Sequence, residues 1–401
     1  MRQAQQEASG KGIAIAAGAA PQAVAAQIGQ LQAGDAVAEA MGIREITGTG
    51  DYEILDRHWI ESALNYYETG AAGRVPFPIA AAGINPVKPL ETGADGTTRI
   101  AIAGDWGTGT NPTNPADKYP YATALAVAEQ MATKDPHYTI HLGDVYYSGL
   151  EQEETDKFVD GWPKASVASY TLNSNHEMYC GGKGFFNILL KNEKFKAQQG
   201  LSYFALTNDV WLIVGLDTAY FAYYQSLLYE NGALFESDAQ KQKDGMVQAQ
   251  WLSALLKEHG HKRVILLTHH DGFDVHPITG KLSQKPLYQQ VTKQMANVRD
   301  WWWYWGHVHG VIAYERIFFK DNSAVTARCI GHGAIPYLPF PPDLKNLGDG
   351  TVRVQWVETD LARNGGDSRR APNGYLLLTL KGAELREELF DERGRQRWSN
   401  F

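Results

Sequence analysis

The sequence predicts an α/β (α+β) chain whose main part is a four-layer αββα sandwich, preceded by a small, mainly helical region. Three features carry the prediction. Short apolar runs alternate with amphipathic stretches over residues 96–401, as strands and helices of a layered fold do. Those runs end in polar residues. Residues 1–95 differ in texture, being Ala-rich with apolar residues at helical spacing.

In residues 1–95, Val24, Ile28 and Leu31 fall at helical spacing, and Asp51 to Tyr67 gives a second amphipathic pattern. Leu55, Trp59, Ala63 and Tyr66 share its apolar face, with Asp51 as a possible cap. Core packing accounts for His58 and Trp59. Pro76, Pro78, Pro86 and Pro89 then mark an extended connection. The next part carries strands at Arg99–Ala103, Tyr138–Leu142, Ser169–Leu172, Val210–Leu216, Val264–Leu267 and Trp301–Trp305. Helices are expected over Tyr121–Lys134 and Gln248–Glu258, the second with Trp251, Leu252, Leu255 and Leu256 on its apolar face. Ala324–Ile330 and Tyr375–Leu380 read as antiparallel pairing. The run Trp301-Trp302-Trp303-Tyr304-Trp305 reads as a strand buried on both faces, since such strands are continuously apolar.

The 401 residues, 44% of them hydrophobic, suffice for a large catalytic domain plus an appendage. A net charge of -8 argues against a nucleic-acid partner, which calls for a basic field. A small phosphate ester remains a fitting partner if metal ions supply positive charge locally. No run reaches the ~18 apolar residues of a membrane helix, so no membrane partner is expected. Cys180 and Cys329 match no zinc spacing and read as two buried free thiols rather than a disulfide. Ile13–Ala17 faintly resembles a signal segment, but Glu7 precedes it and the stretch is mostly Ala and Gly. Cytoplasmic location is therefore favoured over periplasmic or secreted. Oligomeric state is not legible.

Five strand ends carry metal-type donors: Gly104-Asp105-Trp106-Gly107, Gly143-Asp144-Val145-Tyr146-Tyr147, Asn173-Ser174-Asn175-His176-Glu177, Leu266-Leu267-Thr268-His269 and Gly306-His307-Val308-His309-Gly310. A lone Gly-Asp after a strand is usually a turn. Five together, all offering O or N donors where ligands sit in layered folds, point to a metal centre. Two ions suit phosphoryl transfer, because they bind the attacking and leaving oxygens of an in-line displacement. On a regular strand, His307 and His309 would point the same way and each reach a different ion.

The order GDxG, GDxxY, NHE, xxxH, GHxH over residues 98–312 resembles the purple acid phosphatase branch of the calcineurin-like metallophosphoesterase superfamily. Most of that superfamily has Asp-x-His in the first block. Gly107 stands where that His would be, and Tyr147 stands where the purple enzymes place a tyrosine ligand. The resemblance implies the metallophosphoesterase sandwich and two ions. Asp105, Tyr147 and His309 would hold the first, Asn175, His269 and His307 the second, with Asp144 bridging. A phenolate ligand implies Fe(III) at the Tyr147 site, with Fe(II), Zn or Mn at the second. It further implies attack of a metal-held hydroxide on phosphorus, with His176 contacting the phosphate and assisting the leaving group. Ser174 departs from the family's Gly at that place.

The expected activity is phosphate-ester hydrolysis of the acid phosphatase type. A phosphodiesterase or nucleotide hydrolase on the same site, or a non-catalytic metal-binding scaffold, are the alternatives. His270 competes with His269 as the ligand, while His276, Asp274 and His332 are weaker pocket candidates. Tyr220, Phe221, Tyr223 and Tyr224 are candidates for the pocket mouth. His137, His141, His259 and His261 read as structural or surface residues.

Overall fold

The computed structural model describes residues 46, 48, 50–53, 55–69, 73–110, 123–222, 231–236, 245–275, 282–318, 324–342, 344, 353–362 and 369–401. Ile13–Ala17, the spacing of Val24, Ile28 and Leu31, the start of the helix expected from Tyr121, Tyr223, Tyr224 and His276 lie outside them. Four longer helices are α1 His58–Thr69, α2 Thr123–Ala132, α3 Val247–His259 and α4 Pro286–Gln294. The strands are β1 Val87–Pro89, β2 Thr97–Ala103, β3 Tyr138–His141, β4 Ala168–Thr171, β5 Phe204–Thr207, β6 Trp211–Leu216, β7 Arg263–Thr268, β8 Phe273–Val275, β9 Leu282–Gln284, β10 Asp300–Tyr314, β11 Ile317–Phe318, β12 Ala324–Gly331, β13 Val354–Val357, β14 Gly374–Lys381, β15 Glu384–Asp391 and β16 Gln396–Ser399.

Two large sheets form the centre. One runs β16-β15-β14-β2-β3-β4; the other runs β1-β5-β6-β7-β10-β12-β11, with β13 on β10. Parallel pairs β2–β3, β3–β4, β6–β7 and β7–β10 bring the strand ends of the motif blocks to one edge of the two sheets. The alternation of each strand sorts its side chains between layers. Ile100, Ile102, Ile140, Ile265, Leu267 and Tyr304 meet between the sheets. Ala101 and Ala103 face the layer of α2, Phe158 and Trp162. Val264, Leu266, Trp301, Trp303 and Trp305 face the layer that holds Leu252 and Leu255 of α3 and Leu287 and Val291 of α4. Both faces of β7 and β10 are thus covered, which explains the continuous apolar run through Trp301–Trp305. Each fully buried Ile or Leu of the central layer contributes roughly 1.5–3 kcal/mol. The result is the αββα sandwich the sequence predicts.

Three expectations need correction. The two C-terminal segments do not pair with each other: β12 pairs antiparallel with β11 and lies beside β10 in one sheet, while β14 pairs antiparallel with β2 and β15 in the other. The cap before α1 is Asp56, whose carboxylate accepts from the His58 N–H at 3.0 Å, rather than Asp51. The third concerns His307 and His309, which do not stand on a regular strand. β10 pairs in parallel with β12 up to Trp305↔Cys329, reaches Gly331 at His309, then falls back to Cys329 at Ile312 and Arg328 at Ala313. Gly306–Gly310 therefore arches over the end of β12. Cys180 and Cys329 are both free and buried, as expected. Among the described residues no helix is long and apolar enough to cross a membrane.

Candidate metal centre

The arch and the strand ends bring the five blocks together. Three donor residues occupy left-handed backbone: Asp105 (φ 58°), Asp144 (φ 78°) and His307 (φ 64°). A non-glycine residue there costs roughly 1–2 kcal/mol, and such residues cluster where a fold holds a functional geometry. Backbone bonds brace the turns: Asp105 N–H donates to the Gly143 carbonyl at 3.0 Å and Gly107 N–H to the Asp144 carbonyl at 3.1 Å. The His307 N–H donates to Asp105 Oδ2 at 2.8 Å.

The side chains divide into two groups around Asp144. On one side the Tyr146 hydroxyl lies 2.8 Å from Asp144 Oδ2, 3.2 Å from Asp105 Oδ1 and 3.1 Å from His309 Nε2. On the other, His269 Nε2 lies 3.2 Å from Asp144 Oδ1 and 2.9 Å from Asn175 Oδ1. His307 Nδ1 lies 3.1 Å from that same amide oxygen. His307 and His309 thus serve opposite sides of the cluster, because of the arch and not because of strand alternation.

Tyr147 is not in this cluster. Its hydroxyl donates to Asp56 Oδ2 at 2.5 Å, and its ring stacks on Tyr52 at 4.7 Å between centroids. Tyr146 takes the place expected of Tyr147. Val145 forms a parallel bridge with Gly107, between Asp144 in left-handed backbone and a turn over 146–148. Val145 faces the outer core with Trp106. The same bridge explains Gly107, since a Cβ there would come within 2.6 Å of Val145 Cα. No histidine fits at position 107, and the Tyr146 phenol faces Asp105 instead.

His176 faces the cluster from a single helical turn, Asn175–Met178, which Ser174 caps by accepting the His176 N–H at 3.0 Å. The Ser174 hydroxyl also contacts Asp144 and Glu177. His176 Nδ1 donates to the Tyr147 carbonyl at 2.7 Å, and Nε2 lies 3.9 Å from Asp144 Oδ2. Trp59 of α1 packs edge-on against both Tyr147 and His176. The His176 and His309 side chains are 8% and 13% exposed. Among the other candidates, His141 is buried between Phe158 and Trp162, and Tyr220 packs edge-on against Phe77.

The chemistry of the donors fits a cation. The Leu142 carbonyl can only accept, so His269 Nδ1, 2.8 Å away, carries the proton of the neutral ring. Nε2 is then a lone pair facing two oxygens, an arrangement a cation relieves. Asn175 is oriented by its Nδ2 donating to the Tyr179 hydroxyl at 3.1 Å, which leaves Oδ1 for the cluster. Burial, followed by Asp144, pushes the Asp105 carboxyl well up; His176, His269, His307 and the Ser174 hydroxyl hold Asp144 low against its burial. Burial pushes His269 and His307 down toward neutrality. It also pushes the Tyr146 phenol up, with Asp105 and Asp144 adding to the effect, so the phenol keeps its proton until a cation displaces it. Asp105, Asp144 and His269 offer ligand atoms within 4.8 Å of one another, as do His269, His270 and His307.

Comparison with known proteins agrees. Residues 98–311, more than half of the chain, match the model of the calcineurin-like phosphoesterase family. No curated protein matches by sequence. Among solved structures, the chain is similar to purple acid phosphatase PPD1 from yellow lupin seeds (Lupinus luteus), at 16% identity and a TM-score of 0.50, covering 78% of this chain and 54% of that one. It thus spans about half the length of the lupin enzyme. It is also similar to GAP50, the anchor in the inner membrane complex of Plasmodium, at 11% identity and a TM-score of 0.49, covering 76% and 88%, and to PhoD at 11% and 0.46, covering 78% and 73%. The chain belongs to the calcineurin-like phosphoesterase family of metal-dependent phosphoester hydrolases.

Proposed function

We propose that this chain hydrolyses a small phosphate monoester at a two-metal centre, in the manner of the purple acid phosphatases. The observation that carries the reading is the division of Asp144: Oδ2 belongs with Asp105, Tyr146 and His309, and Oδ1 with Asn175, His269 and His307. One buried carboxylate shared by two donor sets suits a bridged pair of ions. The first set, with its phenol and carboxylates, suits Fe(III); the second, richer in imidazole, suits Fe(II), Zn or Mn. When bound, such ions supply Lewis acidity toward the phosphoryl oxygens and water.

The protein's own groups do the rest. Because the Tyr147 carbonyl accepts from His176 Nδ1, the proton that His176 exchanges sits at Nε2, facing the cluster. From there it can be given to the leaving-group oxygen. Trp59, Tyr146 and Tyr179 pack around the ring and hold it in that orientation.

The test is hydrolysis of aryl phosphate mono- and diesters by metal-loaded protein and by His176→Ala. The variant should keep its metal content and lose roughly 10²–10⁴-fold in kcat on the monoester. Inactivity of the two-metal protein on every ester would favour a scaffold. A preference for diesters would favour the phosphodiesterase reading.

A further inference from the structure

A third imidazole stands at the His269–His307 end of the centre. His270 is fully buried, and its ring centroid lies 4.7 Å from that of His307 and 4.9 Å from that of His269. Consecutive residues of a regular strand face opposite ways. β7 ends at Thr268, and the bend that follows brings ligand atoms of both histidines into one group with His307. That bend is fixed. The Thr268 hydroxyl donates to the His270 carbonyl at 2.8 Å, and the His270 N–H donates to the Thr218 hydroxyl at 3.2 Å. Behind the ring, the chain at Gly232 comes so close that a Cβ there would meet His270 Cβ at 2.5 Å.

Thr218 also meets His270 Nδ1 at 3.0 Å. Nε2 is therefore the ring atom left over. It is buried and has no hydrogen-bond partner among the described residues. Buried polar atoms are rarely left in that state unless an ion or water completes them. Metal-bound histidines commonly donate their second ring nitrogen to a neighbouring acceptor, and Thr218 offers that arrangement.

We propose that His270 Nε2 is a further ligand of the second ion, beside Asn175, His269 and His307, with Thr218 orienting the ring. Three imidazoles and an amide oxygen select a borderline ion such as Zn²⁺ or Fe²⁺ over Mg²⁺. The proposal rests on the two-metal reading above.

The test is a Zn²⁺ titration of metal-freed protein against a competing chromophoric chelator, with the visible spectrum of the Co²⁺ form as a second readout. The wild type should take up two ions. His270→Ala should weaken one of them by about tenfold or more and shift its Co²⁺ band. Unchanged affinity and an unchanged band overturn the proposal while leaving the two-metal reading intact. Fewer than two ions on the wild type sink that reading and this one with it. Should His270→Ala fail to fold, Thr218→Val decides: about tenfold weakening at the same ion supports the role, and wild-type affinity overturns it.

Discussion

Adjacent tyrosines with separate tasks offer the sharpest test. Tyr147→Phe removes one hydroxyl and keeps the ring, so the packing on Tyr52 and Trp59 survives. The lost bond, 2.5 Å to Asp56 Oδ2, is buried and runs to a carboxylate; such bonds contribute about 1.5–3 kcal/mol. Asp56 Oδ2 still accepts the Tyr52 N–H at 2.7 Å, so the oxygen is not stranded and the loss should sit near the lower end, about 1.5 kcal/mol. Urea unfolding in the presence of a chelator measures it, as a lower midpoint with an unchanged slope. Metal content and ester hydrolysis should be those of the wild type. Tyr146→Phe should do the reverse. Its hydroxyl is shared by Asp105, Asp144 and His309, so the first ion should bind more weakly. With iron present, the charge-transfer band of the oxidised protein should vanish. Retention of the band in Tyr146→Phe and its loss in Tyr147→Phe would refute the division of labour.

Trp59→Ala empties a buried site beside Tyr147 and His176 and should cost about 3–5 kcal/mol. It should also raise the ratio of diester to monoester hydrolysis; an unchanged ratio would mean that α1 does not limit the substrate. Burial pushes His141 down to about 3, below the ~6.5 of an unfolded chain. A depressed folded value gives stability that is complete above about 6.5 and lost as pH falls toward about 3. The stability difference between wild type and His141→Gln, measured by urea unfolding without metal, should therefore shrink on acidification through that window. A pH-independent difference would contradict it.

The sandwich and the donor cluster were legible because their signals are local. Ile100, Ile102, Ile265 and Leu267 alternate with residues of the outer layers, and each motif block follows its strand directly. What escaped depended on long-range contact. The paths of β12 and β14 look alike as apolar runs, and only the sheets they join separate them. The loop geometry at His307 rests on a positive φ that a histidine does not advertise. Tyr146 reaches the cluster from a turn that follows the left-handed Asp144, a geometry that no strand alternation foretells. His270 was recognised as a rival to His269; that both would turn the same way depends on Thr218, fifty-two residues earlier. Trp59 does belong to a packed cluster, yet that cluster includes Tyr146 and Tyr147, so this wall of the site lies outside the span matched to the family.

The arch at Gly306–Gly310 ties ion spacing to sheet geometry. Trp305 and Ile312 both register with Cys329, so the strap between them is fastened at each end to a single strand and has no slack. One added residue would either lift His309 off its partners or slide the returning limb by a place. Sliding would exchange the cores served by Val311 and Ile312, which face different layers. The length of this segment is thereby held by hydrophobic packing as firmly as by the need to reach two cations, and changes in the sheet far from the histidines should register as altered metal binding.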